Sequence, residues 1–127
     1  MKYVLIIEKS KGKYWGRMYI KDNLIVTEAS SIEVLERKMK KVIKDFHNIK
    51  VPAFRHAYDL TVFFEKYNYL KQSKIAELTG MNPGLLRQYA SGVKHPSPTQ
   101  AQKIQDAVRA LAKELRSVSL YSEGKRL

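Results

Sequence analysis

A chain of 127 residues with 24 Lys and Arg against 12 Asp and Glu, a formal charge of +12 and no cysteine has room for one or two small domains. It excludes disulfides, thiolate catalysis and thiolate metal sites. The positive excess favours polyanionic partners through steering and counterion release, and it is spread evenly, with 12 basic and 6 acidic residues up to Lys50 and again after it. The apolar stretch at residues 3–7 is too short for a signal-peptide core or a membrane span and runs into Glu8 and Lys9, so a cytoplasmic protein with no membrane partner is expected.

Residues 3–8 are rich in β-branched and aromatic side chains and stop at Ser10-Lys11-Gly12, which reads as a turn between strands. Residues 14–20 then alternate, and Lys21-Asp22-Asn23 make a second turn before a third strand at 24–27. A three-stranded antiparallel meander is expected. Ser30 with Glu33 three places later matches a capping box, and Ile32, Leu35, Met39, Val42, Ile43 and Phe46 fall on one helical stripe. The opposite face, with Arg37, Lys38, Lys41 and Lys44, is either a grip for nucleic acid or the solvated side of an amphipathic helix. Trp15 and the tyrosines of the second strand either stack on bases or pack across strands. Residues 48–58 hold no helical period and include Pro52, which the edge of a sheet tolerates, so an edge strand is expected there.

In the second half, Leu60, Phe63, Phe64 and Tyr67 recur at helical spacing behind Asp59 as a cap. Residues 72–79 make a second, short helix with Ala76 and Gly80 four apart. A small side chain is needed where two helices cross closely, and a residue free to take positive φ is needed where the chain turns. Asn82 as cap and Pro83 at the first helical position start a third helix. On a wheel of about 100° per residue, Leu85, Leu86 and Tyr89 face one way and Gly84, Arg87, Gln88 and Ser91 the other. Together with Asn82 the second set is a candidate base-reading face, since guanidinium, amide and hydroxyl groups read base edges in a major groove. The basic turn 91–96 follows, with Lys94 and His95 placed to meet phosphate, and Lys74 near the start of the second helix is a further phosphate candidate. A last helix, from Pro98 to about residue 120, is opened by Ser97 with Gln100 completing a second capping box. Its seam of Ile104, Val108, Leu111 and Leu115 either covers a core or zips against a twin, and residues 122–127 read as a disordered tail.

Gln72, Ile75, Ala76, Gly80, Met81, Leu86, Tyr89, Gly92 and Pro96 agree with one geometry at once, and the segment 70–111 resembles the helix-turn-helix of phage repressors and the Xre class. The resemblance implies that Gln72 touches phosphate and that Arg87 and Gln88 face bases. It departs at Pro83 and Gly84, where members of that class often carry base-reading side chains, and this shifts the expected readout toward backbone approach and DNA shape. Over the whole chain, three strands, a helix and a strand ahead of a helix-turn-helix resemble the HicB family of antitoxins, through Lys2-Tyr3-Val4 with Glu8-Lys9 and through Ser30-Ser31-Ile32-Glu33. The link between strands two and three is shortened and the family's Gly-Asp-Thr signature at the helix start is absent. This resemblance implies a partial, degenerate ribonuclease-H-like first domain that masks a small RNA-cleaving toxin, HicA, and a second domain that binds the promoter.

The expected fold is therefore α+β, a small antiparallel βββαβ domain over residues 1–58 followed by an all-α helix-turn-helix domain over 59–121. The expected function is that of a sequence-specific regulator, antitoxin-like, with double-stranded DNA, a second copy of itself and a HicA-like toxin as partners. An RNA-binding or protein-interaction module without a DNA operator is the alternative. Catalysis is not expected, because ribonuclease-H chemistry needs several carboxylates converging on two metals, whereas the strand region offers only Glu8, Asp22 and Glu28. His47, His56 and His95 have no spacing that would converge on a metal, and neither metal nor cofactor is assigned.

Overall fold

Alternating side chains and short turns build a meander of β1 (Val4–Ser10), β2 (Lys13–Ile20) and β3 (Asn23–Ala29), with antiparallel pairing between successive strands. The computed structural model describes residues 3–50 and 54–126, with Lys125 and Arg126 described by backbone alone. The β1–β2 turn is two residues long, and both Lys11 (φ 53°) and Gly12 (φ 76°) have positive φ. That conformation matches the twist of the flanking strands, and glycine adopts it without steric cost.

After β3 the chain enters α1 (Ile32–His47) and returns as β4 (Arg55–Tyr58), giving the sheet order β3-β2-β1-β4. The strand expected at 48–58 is thus an edge strand, although its leading part, with Val51 and Pro52, lies outside the described residues. It pairs parallel with β1, so the sheet is mixed and not antiparallel throughout. The reason is topological. A 16-residue helix spans the length of the sheet, so β4 starts from the same end as β3, which itself runs in the direction of β1.

Leu5, Ile7, Met18, Ile20, Ile25 and Ala29 from the sheet and Leu35, Met39 and Ile43 from α1 form the core of this unit. Gly16 lets the helix come close, because a Cβ there would stand 3.1 Å from side-chain carbons of both Leu35 and Leu5. Ser31 caps α1 by accepting from the Val34 amide at 3.2 Å, so the cap sits one residue later than the Ser30 expected, and Phe46 at 78% exposure falls off the buried stripe. The other face of the sheet stays open, with Trp15, Tyr19, Leu24 and Val26 exposed beside the ion pairs Arg17–Glu8 (2.9 Å) and Lys13–Glu28 (3.3 Å).

Helix α2 (Leu60–Lys66) belongs to this first unit, and the two compact units of the chain are Met1–Asn68 and Tyr69–Leu127. This differs from the division at residue 58 expected from sequence. Val62 buries into the sheet core, and Asp59 ties the helix to β1 by accepting from the Val62 amide at 2.9 Å and from the Lys9 amide at 3.4 Å. Glu65 then accepts from the Tyr14 hydroxyl and the Lys9 ammonium.

The second unit holds α3 (Gln72–Thr79), α4 (Pro83–Ser91) and α5 (Pro98–Arg116) around Ile75, Ala76, Leu86, Tyr89 and Ile104. Helix α5 stops four residues short of the end expected, capped at Ser117. Ser97 accepts from the Gln100 amide at 3.2 Å, whereas the Gln100 Oε1 atom is buried without a partner, so one half of the expected capping box is made. The last residues are not a disordered tail over the described part. They form a two-stranded hairpin, β5 (Tyr121–Ser122) with β6 (Lys125–Arg126), turned at Gly124 with φ 82°. Among the described residues no helix is long and apolar enough to cross a membrane.

Candidate nucleic-acid interface

The candidate site is built by α3, a three-residue turn and α4. Gly80 takes φ 71° at the end of α3, and the Met81 amide donates back to the Ala76 carbonyl at 3.0 Å. The Thr79 hydroxyl donates to the carbonyls of Ile75 (2.8 Å) and Ala76 (3.1 Å), tightening the last turn. Asn82 accepts from the Gly84 amide at 2.7 Å and Pro83 follows at the first helical position, so the start of α4 is set by local chemistry. Gly92, with φ 83°, ends the helix, and the Lys94 amide donates to the Gln88 carbonyl at 3.2 Å, folding the basic turn back against the helix.

Burial of Leu86 and Tyr89 orients the helix within the unit, and the opposite side of α4 is left open. Asn82, Gly84, Leu85, Arg87, Gln88, Ser91 and Lys94 line one open concavity of about 750 Å³. The structure therefore brings together all five residues expected to read bases, and with them Lys94 from the phosphate set. Leu85, assigned to the core side of the wheel, is half-buried and also lines the surface. No wheel could place it, because a residue at the boundary between faces is assigned only by the neighbours it meets.

The other phosphate candidates stand elsewhere. Gln72 is half-buried in the first turn of α3, and Lys74 is held by Glu77 at 3.5 Å on the same helix. His95 is exposed in the turn after Lys94. Helix α3 has no side-chain cap at Lys71, so its first amides have no local acceptor from that residue. Among the described residues neither Arg87 nor Lys94 enters an ion pair, and the unit carries 10 Lys and Arg against 4 Asp and Glu. The concavity thus offers a planar cationic fork, an amide, a hydroxyl, a backbone bare of side chain and an apolar contact. These are groups suited to base edges and phosphates, and no nucleophile with an adjacent base stands among them.

Within the first unit, a polar cluster forms where α2 meets the sheet. Hydrogen bonds from Lys9 and Tyr14 hold the Glu65 carboxyl below its ordinary range, and the same contacts raise Lys9 and Tyr14. Nothing in the sequence brought these residues together, since their meeting depends on where α2 lands. Among the described residues no three His, Asp or Glu side chains converge to hold a metal ion. No family model matches the chain, and neither a characterised protein nor a solved structure is significantly similar to it.

Proposed function

We propose that the chain is a sequence-specific DNA-binding regulator in which α4 enters the major groove. The observation that carries this reading is the gathering of Asn82, Gly84, Arg87, Gln88, Ser91 and Lys94 on one open surface along α4 and the turn after it, in a helix that follows α3 across the short turn begun at Gly80. Arg87 presents its fork to guanine, Gln88 its amide to adenine, Leu85 an apolar contact to a thymine methyl, and Lys94 an ammonium to phosphate. A single recognition helix contacts few base pairs, so the reading includes a homodimer that binds two half-sites.

The test uses duplexes that the protein selects from a random-sequence pool, with a scrambled duplex as reference, titrated over a series of salt concentrations. Arg87→Ala costs about 1–3 kcal/mol on the selected duplex and less on the scrambled one. Lys94→Ala weakens both about equally and lowers the salt slope by about one unit. If both variants bind both duplexes like the parent, α4 does not enter a groove.

A protein-binding role for the first unit, as in the HicB antitoxins that the chain resembles, is supported by a different observation. The open face of the sheet carries Trp15, Tyr19, Leu24 and Val26, and its charges are already paired in Arg17–Glu8 and Lys13–Glu28. Apolar groups with neutralised charges between them suit a protein surface better than a polyanion. Co-expression with a HicA-like toxin checks it: capture by the parent chain that is lost on Tyr19→Lys and Val26→Lys supports the role, and no capture removes it.

A further inference from the structure

After α5 the chain closes a hairpin of two residues per strand, and among the described residues β5 and β6 pair only with each other. A two-stranded ribbon in water is marginal even when longer, and it gains stability when further strands or an apolar face join it. The chain itself gives little such support, because residues 112–124 are all exposed. They are not those of a solvated tail. Leu115, Val118, Leu120 and Tyr121 put four large apolar side chains into seven positions, with Leu120 68% and Tyr121 83% exposed. Single exposed apolar residues are ordinary, whereas a contiguous group marks an interaction surface.

The charge around this group selects the partner. Two of the four acidic residues of the second unit, Glu114 and Glu123, fall within residues 114–123, against Arg116 as the one basic residue there. A polyanion finds no net positive charge to hold. A second copy of a chain of charge +12 is repelled elsewhere, but here it meets no positive excess and brings one Arg116 and two carboxylates to the same set. The free edge of β5 suits that partner as well. Ser122 and Lys125 close the two-residue turn and face each other, so the main-chain groups of Tyr121, one place further along the antiparallel pair, turn away from β6. The strand β6 is Lys125-Arg126, and two copies meeting along it would set like charges side by side.

We propose that β5 is a dimerisation strand: it pairs antiparallel with β5 of a second copy, joining two hairpins into one four-stranded sheet, with Leu115, Val118 and Leu120 closing against their counterparts beside it. The inference rests on the dimer in the DNA-binding reading and adds to it the main-chain contact that holds the two copies. An open strand edge is a template for another strand, and an identical chain supplies one with the same apolar run, so the contact is self-complementary and ends at two copies. A twofold axis through this pairing sets Leu120 or Tyr121 opposite its own counterpart.

Because the chain has no cysteine, one introduced thiol reports one position. Leu120→Cys and Tyr121→Cys place it at the pairing, and Thr99→Cys places it at the exposed far end of α5, about 25 Å away at 1.5 Å per residue. With oxidised glutathione at micromolar protein, at least one of the first two closes to a disulfide-linked dimer on a non-reducing gel, since the Cα atoms of an antiparallel pair lie within disulfide reach, and Thr99→Cys stays single. The linked dimer binds the duplex that the parent selects from a random-sequence pool at least as tightly as the parent does. Tyr121→Pro removes the outward N–H and keeps the bonds that close the turn, so it sediments as a monomer where the parent is a dimer, with unchanged helix content by circular dichroism. No linked dimer from either variant, equal linking of Thr99→Cys, a linked dimer that loses the parent's duplex, or a Tyr121→Pro that stays dimeric each overturns the proposal. With the parent still a dimer on DNA, those results leave the DNA-binding reading in place. A monomeric parent removes the strand pairing and the dimer together. If the dimer links as expected and the parent selects no duplex, the strand pairing stands and the DNA-binding reading fails.

Discussion

At the scale of single residues, the tie between α2 and the sheet is a small polar cluster whose behaviour with pH follows from its hydrogen bonds. Glu65 accepts from Lys9 and Tyr14, and both bonds stabilise the carboxylate, so its folded value lies below the ordinary one of 4.5. A group lowered on folding contributes stability that is full above its unfolded value and is lost as pH falls through the lower, folded value. Acid therefore loosens α2 from the sheet below about pH 4.5, in the window that ordinary carboxylates begin and Glu65 extends downward. The cluster is exposed, and after solvent screening Glu65→Gln costs less than about 1 kcal/mol at neutral pH. Denaturant titrations of parent and variant at pH 7 and pH 3 measure it, and a difference that grows on acidification contradicts the sign. Asn82 makes a larger contribution per atom, because it satisfies an otherwise orphan amide at the start of α4. Its replacement by alanine costs about 0.5–2 kcal/mol of stability, readable as a shift of the denaturant midpoint.

At the scale of elements, the decisive contact in the first unit is that of α1 with β2. Gly16 stands under Leu35, and the Gly16→Ala methyl meets carbon atoms of Leu35 and Leu5 at 3.1 Å within a closed core. Overpacking of this kind costs about 1–3 kcal/mol, and Leu35→Ala, which leaves a void at a site with no solvent exposure, costs about 2–5 kcal/mol. The pair checks the packing. If Gly16→Ala is neutral by thermal melting, the helix is not held as close as the geometry indicates, while Gly16→Ala with Leu35→Ala recovers part of the loss where the two are coupled. Helix α5 shows how one apolar seam serves two environments. Ile104 is buried, Val108 and Leu111 are half-buried, and Leu115 is 58% exposed, so the seam covers the core at its start and leaves it by its end.

At the scale of the molecule, each unit carries the same net charge, 14 Lys and Arg against 8 Asp and Glu up to Asn68 and 10 against 4 after it. Charge alone therefore does not choose the nucleic-acid-binding half, and the choice rests on the groove along α4. For the proposed dimer, the surface with apolar groups to spare is the open end of α5 and the segment after it, where Leu115, Val118, Leu120 and Tyr121 are all more than half exposed. Leu115→Glu with Val118→Glu places four like charges across a twofold contact there and leaves the buried Ile104 untouched. Sedimentation at micromolar concentration shows a dimer for the parent and a monomer for the variant, with unchanged helix content by circular dichroism. A parent that sediments as a monomer removes the dimer from the reading.

Much of this was legible because it is local. β-Branched and aromatic content marked the first strand of the meander, alternation the second and turn residues the start of the third, and the Asn82-Pro83 start and the Gly80 and Gly92 ends of the helices around the turn are chemistry between residues a few places apart, where a cap or a positive φ depends on one side chain. The periodicity of α4 likewise sorted Arg87, Gln88 and Ser91 from Leu86 and Tyr89, and those three line one surface with Asn82 and Gly84. What the sequence could not determine concerns partners distant along the chain. The parallel pairing of β4 with β1 follows from the path of α1 across the sheet, and α2 joined the first unit because Val62 found the sheet core and Asp59 found β1. The hairpin at 121–126 is local, but its strands are two residues each, too short for any alternation to show in the sequence.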